Sequence, residues 1–337
     1  MYPGGLLKPS AALIYANGIG DHLLTLPTVR ALSAHFGGRL RLISFFEAKE
    51  RHYLGVRFGA FRPTIFRDEA AGQKSFDPDA AARLVGRCPL IISLNPWHSP
   101  WMDRFLDLVR PAFTVGFNEG FDVRLPLDYD RHCADMTFEM ARVFDSSLNI
   151  ETFAEPPRLK PAIRRSVHGL MRTLPKGCRV LAVHADTQPW KEWRHDYFRA
   201  ALHGFLEQHP EFIAMVVGQR DIDLEHGRHA DRVVPCRGQH LHVAMAIVEQ
   251  ADLFLGIDSF ALHVADLTYT PGVGLFGATR ALEWGFRFGP HVHVDCGKAM
   301  DRNAVDEVLG ALERLAHNPQ ARVPAVRASA AATCATA

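Results

Sequence analysis

Short apolar runs alternate with amphipathic stretches along most of this chain, and residues 11–36 set the pattern. The unbroken apolar run Ala11–Tyr15 predicts a buried strand, Asn17-Gly18-Ile19-Gly20 a tight turn, and Asp21 the start of a helix. Further strands are predicted over 38–46, 87–95 (entering a loop at Pro96-Trp97-His98) and 112–118. A helix over 101–110 would carry Trp101, Phe105, Leu106 and Val109 on one face. Residues 151–163 hold three prolines and no helical period, which marks a boundary. The alternation then restarts, with strands over 178–185, 211–219, 252–258 and 271–277. Between and after them come helices over 197–209, 241–250, 259–267 and 303–317. This predicts an α/β protein of two doubly wound halves with a cleft between them. The expected division is 1–155, 156–322 and a disordered Ala-rich tail over 323–337.

A chain of 337 residues suits two domains of about 150 each. Its net charge is +1, and residues 1–150 hold 17 Lys/Arg against 16 Asp/Glu, so charge makes no case for nucleic acid as a partner. The six cysteines, Cys88, Cys133, Cys178, Cys236, Cys296 and Cys334, form no CxxC pair. That argues against a zinc module or disulfide scaffold and fits a reducing cytosol. MYPGGLLKPS is no signal region, and no apolar run reaches the roughly 18 residues of a membrane span. The expectation is a cytoplasmic protein with at most peripheral membrane contact.

Three segments invite chemistry. Gly18-Ile19-Gly20 suggests a dinucleotide cradle, but Leu23 stands where the fingerprint needs its third glycine, and no acidic ribose ligand follows at the required distance. The turn serves equally as a plain strand-to-helix junction capped by Asp21. The second segment is 184–193, His184 to Trp193, which follows a strand. Lys191 offers a point charge for phosphate and Thr187 a hydroxyl; a surface loop with aromatic packing is the alternative. The third, 256–263, puts Asp258 and Ser259 at a helix start, where the amides of residues 259–262 face an incoming anion. Simple capping and a core His263 are the plain alternatives.

Asp221-Ile222-Asp223 resembles a metal–nucleotide D-x-D pair, but a ribose contact from Asp221 is the better expectation, and eighteen histidines form no ligand spacing. No metal site or cofactor is therefore expected. The chain has neither a G-x-S-x-G elbow nor a P-loop.

Taken together, three segments resemble glycosyltransferase family 9, the heptosyltransferases: 20–27 with Arg30-Ala31-Leu32, 184–193, and 251–259 with His263, Pro271 and 275–277. The resemblance implies a GT-B fold of two Rossmann-like domains, the first for an acceptor and the second for a nucleotide sugar. It implies an inverting, metal-independent transfer, usually of heptose from an ADP-activated donor, with a saccharide, protein or natural product as acceptor. Asp21 matches the family's catalytic carboxylate and Lys191 its phosphate-contacting lysine. Thr187, Asp221, Asp258, Ser259, Phe260, Ala261 and His263 fall on the donor side, and Gly20, His22, Trp97 and His98 on the acceptor side. Two positions depart from the pattern. Phe260 stands where glycine is usual, and His22, read as solvent-facing, replaces an apolar neighbour of the carboxylate. A sugar-nucleotide 2-epimerase and a non-catalytic nucleotide-sugar sensor are the rival expectations.

Overall fold

The computed structural model describes residues 10–44, 53–63, 66–69, 73–96 and 100–317. Trp97, His98 and the expected tail over 323–337 lie outside the described residues. The chain forms two compact units, Met1–Arg158 and Leu159–Ala337.

In the first unit, β1 (Ala11–Ile14), β2 (Arg41–Ser44) and β3 (Ala60–Pro63) join β6 (Leu90–Ser93), β7 (Phe113–Gly116) and β8 (Val123–Arg124). They form a parallel sheet in the order β3-β2-β1-β6-β7-β8. A separate antiparallel pair is made by β4 (Phe66–Glu69) and β5 (Gln73–Phe76). The second unit contains β9 (Arg179–His184), β10 (Phe212–Gly218), β11 (Val233–Arg237), β12 (Leu253–Ile257), β13 (Gly272–Phe276) and β14 (His291–Asp295). They are parallel in the order β11-β10-β9-β12-β13-β14. Both sheets thus follow the Rossmann order, in which the first strand sits at a topological switch point beside the fourth.

The central strands are buried throughout: AALI in β1, LIIS in β6, FIAMVVG in β10 and LFLGI in β12. Helices cover both faces of such sheets, so these strands read as continuous apolar runs rather than alternations. The edge strands lack that signal. VVPCR in β11 and HVHVD in β14 are partly exposed, and Pro235 is tolerated at an edge.

Three helices of eight residues or more lie outside the elements predicted from the sequence: Pro78–Val85, Cys133–Arg142 and Pro161–Met171. The last begins inside the proline-rich boundary segment, because a proline in the first helical turn loses no hydrogen bond. The first turn after β1 also differs from expectation. The helix runs Ile19–Leu24 with Gly18 at its cap, so Asp21 lies within its first turn rather than at the cap. No described helix is long and apolar enough to cross a membrane.

Candidate active site

In the second unit the switch point lies between β9 and β12. The segment after β9 runs through Thr187 into a single 3-10 turn, Pro189–Lys191, whose Lys191 N–H bonds back to Gln188 O at 2.8 Å. That turn delivers Lys191 to the loop after β12. Lys191 Nζ donates to Asp258 Oδ2 at 2.7 Å, and the Thr187 hydroxyl donates to the Asp258 carbonyl at 3.1 Å. A third loop contributes as well: Thr279, just after β13, donates to the same Asp258 Oδ2 at 2.7 Å. Asp258 is only 4% exposed, so two donors on one oxygen offset the cost of burying its charge. Lys191 keeps part of its surface open and lies 5.1 Å from the ring centre of the exposed Trp190.

The helix Phe260–Leu267 starts at this point, with Ser259 as its extended N-cap residue. Ser259 makes no side-chain cap, and its buried Oγ has no hydrogen-bond partner among the described residues. A hydroxyl and the first free amides of a helix therefore sit beside an anchored ammonium, which is the donor set an anion requires. Phe260, at the first helical position, lies edge-on to His184, with ring centres 5.0 Å apart. His184 bonds Val217 O at 2.9 Å through Nδ1, and burial lowers its basicity, so Nδ1 carries the proton. Ala261 and His263 are buried within the helix, at 0% and 4% exposure.

Asp221 is not brought to this group. It pairs with Arg237 at 2.5 Å and its side chain is 89% exposed, while Asp223 pairs with His226 and Arg199. The two carboxylates point to separate partners, and among the described residues no cluster of three or more His, Cys, Asp or Glu could hold a metal ion.

In the first unit the switch point lies between β1 and β6. Asn95, just beyond β6, accepts the Ala16 N–H through Oδ1 at 3.1 Å and fixes the exit from β1. Gly18 follows, and a Cβ built on it would lie 2.8 Å from Asp21 Oδ2. The Asp21 carboxylate thus rests over Gly18, in space that only a glycine leaves free. Gly20 is half-buried inside the same turn of helix. His22 is not solvent-facing. It is 1% exposed, its Nδ1 lies 2.5 Å from the Tyr53 hydroxyl, and its ring meets Tyr15 edge-on at 4.8 Å. The helix directs its side chain to the core side, where an aromatic pocket accommodates a ring that the sequence alone presents as an isolated polar residue.

Thr279, Asn95 and Tyr53 were missing from the sequence reading. Thr279 lies just past a predicted strand and Asn95 ends one, which is a usable signal; Tyr53 follows no such pattern.

Residues 143–301 match the model of glycosyltransferase family 9 (heptosyltransferase). The glycosyl transferase family 9 structure from Veillonella parvula DSM 2008 superposes with a TM-score of 0.73 at 15% identity, covering 92% of this chain and 98% of that one. The E. coli ADP-heptose LPS heptosyltransferase II gives a TM-score of 0.68 at 12% identity, over 91% and 98% of the two chains. The iron-containing dodecameric glycosyltransferase TibC from enterotoxigenic E. coli H10407 gives 0.54 at 12% identity, over 91% and 76%. No curated protein sequence matches the chain.

Proposed function

We propose that this chain, whose residues 143–301 match the glycosyltransferase family 9 model and whose fold is GT-B, is a glycosyltransferase that carries out an inverting transfer of heptose from ADP-heptose to an acceptor hydroxyl. The observation that carries this reading is the Lys191–Asp258–Thr279 group beside the free Ser259 hydroxyl at the second unit's switch point. Asp258 anchors Lys191 and leaves two of the ammonium's three protons for phosphate oxygens. Lys191, Ser259 Oγ and the amides at the start of helix Phe260–Leu267 then hold the diphosphate and stabilise the charge that grows on it as the sugar departs. Asp21 takes the proton of the attacking acceptor hydroxyl. The new glycosidic bond forms as the bond from the anomeric carbon to the diphosphate oxygen breaks, and ADP leaves with that electron pair. ADP-heptose is favoured as donor because the name of E. coli heptosyltransferase II includes it.

In this reading Lys191, Ser259 and the helix amides do the work a divalent cation does elsewhere, so the reaction needs no metal. The deciding experiment is a thermal-shift panel of ADP-, GDP-, UDP- and CMP-sugars, since a ligand that binds the folded state raises Tm by mass action. ADP-sugars should give the largest rise, unchanged by EDTA. A larger response to another nucleotide, or loss of the response in EDTA, would overturn the donor or the metal-free chemistry respectively.

A further inference from the structure

A second cluster of cationic side chains lies in the first unit, away from Asp21. It surrounds a pocket of about 410 Å³ against the helix Leu26–His35 and the Gly37-Gly38 turn that follows it. That helix leaves the carboxyl end of β1 and returns the chain to the start of the parallel β2, so its last turn lies at the opposite edge of the sheet from Asp21. The cationic lining is Arg30, Arg57 and Arg158, set against one carboxylate, Glu155.

Among the described residues no carboxylate is paired with any of these guanidiniums. Arg30 donates only to main-chain carbonyls: to Phe153 at 3.1 Å and Glu155 at 2.5 Å through Nη1, and to Pro156 at 2.8 Å through Nη2. These carbonyls accept three hydrogen bonds from it but do not neutralise its charge. Burial pushes Arg30 down to about 10; the charge of Arg158 adds to the fall, and Glu155 opposes it. Arg57 and Arg158 have no ion pair among the described residues, and both are exposed.

The backbone beneath these side chains is built for them. Gly55 has φ +82°, and a Cβ there would lie 2.3 Å from Arg158 Cδ. Gly38 has φ +72°, and its Cβ would come within 3.1 Å of Arg57 Cβ and 3.4 Å of Arg57 Nε. Two glycines in left-handed conformations thus allow two arginine stems to lie flat on the main chain. Ser33 Oγ fixes the strip between them by donating to Arg57 O at 2.5 Å. Leu54, Val56 and Phe153 supply apolar wall.

We propose that this pocket binds the phosphate group of a small phosphorylated molecule, as a site distinct from the one that holds the donor. Three guanidiniums against one carboxylate leave an excess of two positive charges, which matches a phosphate dianion. Planar forks of N–H donors recognise phosphate oxygens in pairs, better than they recognise a point anion. The volume is in the range of small-ligand pockets, with room for a sugar-sized body beside the phosphate. Anion binding would also relieve the repulsion between Arg30 and Arg158.

The test uses the full chain, titrated by calorimetry and thermal shift with inorganic phosphate and with glucose 6-phosphate against chloride of equal ionic strength. The variants are R57Q/R158Q, whose side chains are exposed, and K191A, which removes the phosphate contact proposed for the donor site. Wild type and K191A should both show saturable binding, weakened roughly tenfold or more in R57Q/R158Q. The response of R57Q/R158Q to ADP should remain that of wild type. Equal affinity for the two probes would identify free phosphate as the ligand, and tighter binding of the ester a phosphorylated metabolite; both support the site. Absence of saturable binding in wild type, an unchanged response in R57Q/R158Q, or loss of the response in K191A would each overturn it.

Discussion

Lys191 and Asp258 meet at 2.7 Å across two neighbouring loops of the second unit, with the carboxylate almost fully buried and the ammonium partly open. A pair of this kind adds little to stability, because desolvation offsets most of the attraction. Its effect is on position: an otherwise flexible lysine is held in one place before any ligand arrives. Lys191→Ala should weaken ADP binding roughly tenfold to a hundredfold, the range for a charge-assisted hydrogen bond. Asp258→Asn should weaken it less, since the cation remains but loses its anchor. Calorimetric titration of the two single variants and the double should reveal coupling of about 1–3 kcal/mol. Strict additivity would remove Asp258 from the proposed site.

Asp21 stands in a different setting, its carboxylate fitted over Gly18. Asp21→Asn preserves that fit and removes the basicity, so turnover should fall by about 10²–10⁴ while ADP affinity stays constant. Gly18→Ala asks the same question through geometry. Its φ of −60° suits alanine, yet the new methyl would lie 2.8 Å from Asp21 Oδ2 and displace the carboxylate. Turnover should drop by up to about a hundredfold with melting temperature little changed. Wild-type turnover in both variants would exclude Asp21 as the base.

The elements that were legible in the sequence share one physical property. Strands β9, β10, β12 and β13 lie in the interior of a sheet covered on both faces, so burial writes an uninterrupted apolar run into each. The edge strands β3, β8, β11 and β14 need no such run, and none was anticipated. The loops after β1, β9 and β12 were legible for a related reason, because a polar residue directly after a buried strand falls at the sheet's carboxyl edge. Partnerships between distant positions were not. Nothing local links Thr279 to Asp258 or Tyr53 to His22, and the family's glycine gives no hint that Phe260 would turn against His184.

The correction at His22 leads to its own prediction. Burial pushes the Tyr53 phenol well above its ordinary range, so the hydroxyl stays protonated and keeps its 2.5 Å contact with His22 Nδ1 at all ordinary pH. Tyr53→Phe should leave that nitrogen without this partner and lower unfolding free energy by about 1–3 kcal/mol in urea titrations. A solvent-facing His22 would have made the substitution neutral. His22 directly follows Asp21, so a loss of turnover in Tyr53→Phe beyond the loss of folded protein would show that the buried pair also steadies the carboxylate.

The second unit holds one further ionisable group whose burial has a measurable consequence. Asp266 lies in the helix Phe260–Leu267 at 4% exposure, and its Oδ1 accepts the N–H groups of Phe288 at 2.7 Å and Gly289 at 2.8 Å. Burial pushes its pKa up to about 6, with those backbone donors pulling the other way. The unfolded chain releases this proton near pH 4. Between about pH 4 and 6 the folded state therefore binds more protons than the unfolded state, so unfolding free energy falls as pH rises through that window. The full effect is about 3 kcal/mol at about 1.4 kcal/mol per pH unit. Asp266→Asn retains an oxygen for both N–H donors and abolishes the titration. Urea midpoints at pH 4, 5, 6 and 7 should show wild type losing stability relative to Asp266→Asn up to about pH 6 and holding a constant difference above it. A difference that stays level across the whole series would mean that Asp266 is ionised in the folded protein throughout, and that its two backbone donors outweigh its burial.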